Sequence, residues 1–219
     1  MSARAYADTV LPRMTRLAQD ELAAIERAGE LVADALAGGH RVWVTQTSHY
    51  LHLEATHRAG GLMAVHVLED DAAVESGDVV LLGITAGAAA EIVDMALDLQ
   101  GRGASVVALT QLDFERHPDL PATHPSGRRL SDVADVHIDI GGPYGDGELE
   151  LGDTAIRILP SSGVTSLLAL WMLFADAVRR LGAQGLEPLV YESNLLPGAR
   201  DRNAEREAMY QRTRRGVTP

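Results

Sequence analysis

Three short runs of hydroxyl-bearing and small residues carry the chemistry this chain could do: Thr45-Gln46-Thr47-Ser48-His49, Thr85-Ala86-Gly87-Ala88 and Pro160-Ser161-Ser162-Gly163-Val164-Thr165. Each precedes a stretch with helical periodicity. At a helix start, serine and threonine either cap the free N–H groups or join them in binding phosphate oxygens. A single run of this kind reads as a cap. Three runs at strand-to-helix junctions together point to an anion cradle, with Thr45, Gln46, Thr47, Ser48, Thr85, Gly87, Ser161, Ser162 and Thr165 as its candidate residues.

Titratable groups stand nearby in the sequence. The stretch after the first run carries His49, His52, Glu54 and His57. Glu54 has Arg58 at i,i+4 for a surface ion pair. At about 100° per residue the three histidines span a sector of roughly 140°, with Glu54 at its edge. None of their spacings is the i,i+4 pair that seats two ligands on one metal, so they read as polar helix residues, and no metal or other cofactor is expected. His124, in a Pro-rich loop, either reaches a ligand or is solvated. Glu192 precedes the last helix and is a second candidate acid or base.

Composition narrows the chemistry. All 19 basic residues of the 219-residue chain are arginine, and it has no cysteine. That excludes a Schiff-base or phosphate-loop lysine, a catalytic thiolate, a disulfide frame and a thiolate metal site. A net charge of −12 argues against nucleic acid or an anionic membrane as partner. The start lacks a signal-peptide pattern, and no apolar run approaches the roughly 20 residues of a membrane span, so a cytoplasmic protein is expected.

The elements that must position these residues alternate. Apolar positions from Val10 to Leu36 recur at threes and fours and predict one long helix, which Gly38-Gly39 ends. Strands are predicted at 41–45, 79–84, 105–110 and 136–140, with helices at 48–59, 88–100 and 162–181. Residues 112–129 read as a long loop, 141–153 as turns or a short hairpin, and 200–215 as a polar helix with six arginines. Strands separated by helices of a dozen residues predict a mainly parallel sheet in an α/β/α sandwich, and the chain (1–219) reads as one domain with helical ends at about 5–37 and 201–215.

The motifs resemble those of the SIS (sugar isomerase) domain, closest to its single-domain branch. Thr45, Ser48 and Arg58-Ala59-Gly60-Gly61 fit the branch's first loop and helix, and Ile84-Thr85-Ala86-Gly87 fits its second loop. His124, Ser126-Gly127, Val133-Ala134-Asp135-Val136, Pro143 and Gly145-Asp146 fit its middle block, and Pro160 and Ser162 its third loop. Asn194-Leu195, Asn203 and Tyr210 fit its C-terminal end. The resemblance implies a flavodoxin-like sheet, a sugar or sugar-phosphate ligand, and a homodimer or homotetramer. It also implies aldose–ketose isomerisation, with Glu54 as the base and His49 assisting, and Arg200 or Arg202 reaching an anionic ligand across the dimer. Two departures stand out. Gln46 replaces a glycine of the first loop and Ala86 a serine of the second, which favours a non-catalytic binding module or an uncharged or aminated sugar as the alternatives.

Overall fold

A computed structural model describes residues 2–47, 51–69 and 72–219. In chain order the elements are α1 (Ala3–Asp20), α2 (Leu22–Gly38), β1 (Val42–Thr45), α3 (Leu51–Ala55), β2 (Val65–Leu68), β3 (Val79–Gly83), α4 (Ala90–Gly101) and β4 (Ser105–Thr110). They continue with α5 (Leu112–Glu115), α6 (Leu130–Val133), β5 (Val136–Asp139), β6 (Gly147–Glu150), β7 (Arg157–Pro160), α7 (Ser162–Ala183), β8 (Glu187–Pro188), α8 (Ala199–Thr213) and β9 (Val217–Thr218). The five strands of the main sheet lie in the order β2-β1-β3-β4-β5, and every adjacent pair is parallel. This is the flavodoxin-like α/β/α sandwich that the sequence predicts.

The apolar runs explain the layers. Along β3, Val79 and Leu81 pack with α2 and α7, while Val80 and Leu82 pack with α4. A strand covered on both faces has no polar side, which is why β1, β3 and β4 read as unbroken hydrophobic runs. On the first face α2 lies close against α7. A Cβ on Gly29 would stand 2.7 Å from Asp176 Oδ2 and 3.0 Å from the Leu173 carbonyl, so glycine sets that approach.

Three sequence expectations change. The helix predicted from Val10 to Leu36 is two helices that part at Glu21, whose φ, ψ of −96°, 6° leave the helical region. The Glu21 carboxylate accepts the Asp139 N–H at 3.2 Å beside the end of β5. α1 leans instead towards the β6–β7 hairpin, where the Tyr6 hydroxyl donates to the Pro160 carbonyl at 2.8 Å. The helix predicted over 48–59 is described only as Leu51–Ala55; it stops where the Thr56 hydroxyl bonds back to the His52 carbonyl (2.7 Å) and His57 turns left-handed at φ 53°. His57 therefore lies off the helix face that would have grouped it with His52. Finally, β2 is an edge strand beyond the four expected from the sequence, a run of only four residues that His66 interrupts.

Among the described residues no helix is long and apolar enough to cross a membrane.

Candidate functional site

The strand order reverses between β1 and β3, and in open parallel sheets ligands bind beyond the carboxyl ends of the strands at that point. Here the Thr47 hydroxyl donates to the Gly83 carbonyl at 2.7 Å, and its oxygen lies 2.7 Å from the Thr45 hydroxyl. With the single Thr47 proton on Gly83, Thr45 must be the donor of the second bond. Both hydroxyl protons are thus engaged within the loop. Ser48 and His49 lie outside the described residues.

The second loop is organised around Glu115, which is fully buried. Its Oε2 accepts the Gly87 N–H at 3.0 Å and its Oε1 the Ser131 N–H at 3.2 Å. The Gly87 carbonyl accepts the Leu130 N–H at 2.8 Å. A Cβ on Gly87 would overlap Leu130 and stand 2.9 Å from Glu115 Oε2, so this glycine serves close packing, and its N–H points at an internal carboxylate. The Thr85 carbonyl accepts the Gln111 N–H at 3.0 Å, which ties the second loop to the end of β4.

The third loop shows the same pattern at the N-terminus of α7. Ser161, Ser162 and Thr165 are all fully buried. The Ser162 hydroxyl donates to Asp146 Oδ2 at 2.6 Å, and Ser161 donates to Glu148. Thr165 donates back to the carbonyls of Ser161 and Ser162. Asp146 Oδ1 also accepts from Gln111 Nε2 at 2.7 Å, and Glu148 is paired with Arg13 of α1 at 2.7 Å. Two carboxylates from the Gly145–Glu150 segment therefore sit where a helix N-terminus attracts negative charge.

The other predicted residues lie outside these three loops. Glu54 pairs with Arg58, whose guanidinium lies 5.5 Å from the Trp171 ring centre. Trp171 is nine residues along α7 from Ser162, about 13 Å of helix from its N-terminus. His124 is clamped between Ser126 Oγ at 2.7 Å and Asp94 Oδ1 at 3.2 Å. Glu192 accepts from Arg202 at 2.5 Å and Arg206 at 2.6 Å, and these bonds hold its carboxyl down at about 2. So low a value leaves it ionised at neutral pH and a weak general base. Arg200 is exposed beside a groove with His57, Tyr191, Asn203 and Glu207. There burial and the neighbouring Glu207 push the Tyr191 phenol up to about 12. Among the described residues no three His, Asp or Glu side chains are grouped to hold a metal ion.

A cavity of about 310 Å³ opens beside the first loop, lined by Thr45, Gln46 and Thr47 with Leu68, Glu69 and Arg102. Arg102 is paired with Asp98 at 2.6 Å. Sequence reading did not single out Arg102, Gln111, Glu115, Asp146 or Glu148 as site residues. The one local signal was the acid in Gly145-Asp146-Gly147, where Asp146 holds φ 62°.

Comparison with known proteins agrees with this architecture. A family model described as "Domain of unknown function (DUF2529)" matches residues 10–145. A UPF0309 protein of Brucella ovis is 30% identical, with 90% of this chain and 91% of that protein covered. A UPF0309 protein of Listeria innocua is 28% identical at the same coverage. Among solved structures, a candidate phosphosugar isomerase of Silicibacter pomeroyi superposes with a TM-score of 0.53 at 22% identity, over 82% of this chain and about half (51%) of that longer one. Phosphoheptose isomerase of Neisseria gonorrhoeae gives 0.51 at 16% identity, over 80% of this chain and 95% of its own. A protein of E. coli CFT073 in complex with A5P gives 0.50 at 13% identity, over 83% of this chain and 89% of its own. At these identities the likeness is one of fold, and that fold is the SIS fold. With its sequence relatives covered almost end to end, the chain belongs to the UPF0309 family, within the range of the DUF2529 model.

Proposed function

We propose that this protein binds a phosphorylated sugar derivative at the carboxyl ends of β1 and β3 and interconverts its aldose and ketose forms. The observation that carries the reading is the convergence of the first-loop residues Thr45, Gln46 and Thr47 on a cavity at the point where the strand order reverses. The SIS-fold neighbours include a phosphoheptose isomerase and a protein that binds A5P, which supports the same ligand class. The reaction moves two protons: a base takes the one on C2 of the aldose, an enediolate forms and that proton returns to C1, while the O2 hydroxyl proton passes to O1 as the carbonyl shifts to C2. With no lysine in the chain, carboxylates, imidazoles and backbone dipoles must carry that step. Glu54 is the proposed base and His49 its helper.

The pairing of Glu54 with Arg58 favours one second reading, a binding module without turnover. A thermal-shift panel of fructose 6-phosphate, glucosamine 6-phosphate and the free sugars tests binding. Ligand at 100 times its Kd stabilises by about 2.7 kcal/mol, a shift of a few degrees. Silence across the panel refutes the binding reading. Exchange of the C1 or C2 proton in D2O tests turnover: the isomerase reading expects deuterium incorporation by the wild type and none by Glu54→Gln, while the binding-module reading expects none by either.

A further inference from the structure

We propose that the groove beside α8 is a second ligand site, separate from the first-loop cavity, and that it takes a free α-amino acid with a neutral aromatic side chain. The ligand carboxylate meets Arg200, its ammonium group meets Glu207, and its side chain lies against His66 and Tyr210. Two adjoining cavities, of about 280 and 400 Å³, form the groove and share His57, Tyr191, Ala204 and Glu207. One wall is a single face of α8, where Ala204, Glu207, Ala208 and Gln211 recur at i, i+3, i+4 and i+7. The two alanines leave the room that longer side chains would fill, while the helix packs through Ala199, Asn203 and Tyr210. The opposite wall is fixed by its backbone. The Gly60 N–H donates to the Tyr191 carbonyl at 2.7 Å, the Tyr191 N–H to the Gly61 carbonyl at 3.0 Å, and the Met63 N–H to the Leu189 carbonyl at 2.8 Å. A concave site of this size with set walls is the usual form of a small-molecule pocket.

The charges of the groove define the ligand. Arg202 and Arg206 of α8 are committed to Glu192, whereas Arg200 and Glu207 line one cavity and form no ion pair among the described residues. A cavity that presents one guanidinium and one carboxylate, neither neutralised by a neighbour, is the complement of a zwitterion. Asn194 stands in the same cavity with its Oδ1 held by Asn203 Nδ2 at 3.1 Å, so its own Nδ2 is the group left to donate to the ligand carboxylate. The Tyr191 phenol, pushed up to about 12 by burial and Glu207, stays protonated and hydrogen-bonds that carboxylate. At the other end His66 and Tyr210 stack at 23° with ring centres 5.5 Å apart, beside Met63 and Ala208. Arg41 and Arg214 act on both of these rings, opposed by Asp78. A cationic side chain is therefore disfavoured there, and a neutral ring finds aromatic and apolar partners.

The test titrates the full chain with phenylalanine, with phenethylamine, which lacks the carboxylate, and with phenylpropanoate, which lacks the ammonium group. At neutral pH the wild type is expected to bind phenylalanine at least tenfold more tightly than either analogue. Arg200→Ala should weaken phenylalanine at least tenfold and leave phenethylamine unchanged. Glu207→Gln should weaken phenylalanine equally and leave phenylpropanoate unchanged. Both positions are exposed, so the substitutions spare the fold, which thermal unfolding of each variant checks. Amide shifts on adding phenylalanine should move at residues 57, 191 and 204–211 and stay still at 45–47. Equal affinity for the three compounds, no binding of phenylalanine at millimolar concentration, or shifts at the first loop instead would overturn the proposal. No arm of the test uses a sugar, so the sugar-binding reading stands or falls separately.

Discussion

The Thr47 hydroxyl reaches the Gly83 carbonyl across 2.7 Å, joining the loop after β1 to the last residue of β3 at the point where the sheet changes direction. This bond fixes the mouth of the crevice. Replacing Thr47 by valine keeps the shape and removes the donor, leaving the Gly83 carbonyl short of a partner. The expected cost is about 1 kcal/mol of stability, read from the urea midpoint, with a clear loss of ligand affinity. Thr47→Ser retains the hydroxyl and should restore both.

Gly87→Ala tests whether the second loop is held from inside. The new methyl would overlap Leu130 and press on Glu115 Oε2. Overpacking of this kind costs about 1–3 kcal/mol, so the urea midpoint should fall with an unchanged m-value. An unaffected midpoint would mean that α6 is free to shift away.

The pH dependence follows from two buried histidines. Burial pushes His66 and His137 below their ordinary value of 6.5, and each ring is hydrogen-bonded, to Tyr210 at 2.5 Å and Thr110 at 2.9 Å. Arg41, His57 and Arg214 add to the lowering at His66, against Asp78; at His137, Glu115, Asp139 and Asp132 oppose it and Arg116 adds to it. The unfolded chain then takes up protons first as pH falls below 6.5, so stability is full above about pH 7 and declines on acidification until the folded rings also protonate. Melting temperatures measured from pH 7.5 to 5.5 should fall, and His137→Asn should flatten that slope.

Glu192 behaves in the opposite range. Its carboxyl, held at about 2 by Arg202 and Arg206, contributes stability above the ordinary glutamate value, and that contribution is lost only as pH falls towards 2. Any pH–rate profile should therefore carry no limb from Glu192 between pH 4 and 8. Glu192→Gln should raise hydrogen exchange along α8 at neutral pH, because that helix is clamped to Glu192 through both arginines. Unchanged exchange would assign the clamp to Asn203, whose side chain bonds both the N–H and the carbonyl of Glu192.

The sheet was legible because its central strands announce themselves. Val79 to Leu82 and Val106 to Leu109 are apolar throughout, as burial on both faces requires, and the structure places their strands within a residue of expectation. The bend at Glu21 was not legible, because the apolar periodicity runs across it unbroken and its cause, the Asp139 amide, is 118 residues away. The candidate site was legible in its hydroxyls and not in its acids. Ser162 and Thr47 stand where strand ends meet helices, a pattern visible in order along the chain. Asp146 and Glu115 reach the same places from a hairpin and a four-residue helix, and only the folded chain brings them there.

The central claim is that ligand binds where β1 and β3 end. Amide chemical-shift mapping with fructose 6-phosphate or glucosamine 6-phosphate tests it most directly. The account predicts perturbations concentrated at residues 45–47, 83–87, 110–111 and 161–165, with α8 unaffected. Perturbations confined to the α8 groove around His57, Tyr191 and Glu207, or none at all at saturating sugar phosphate, would contradict it.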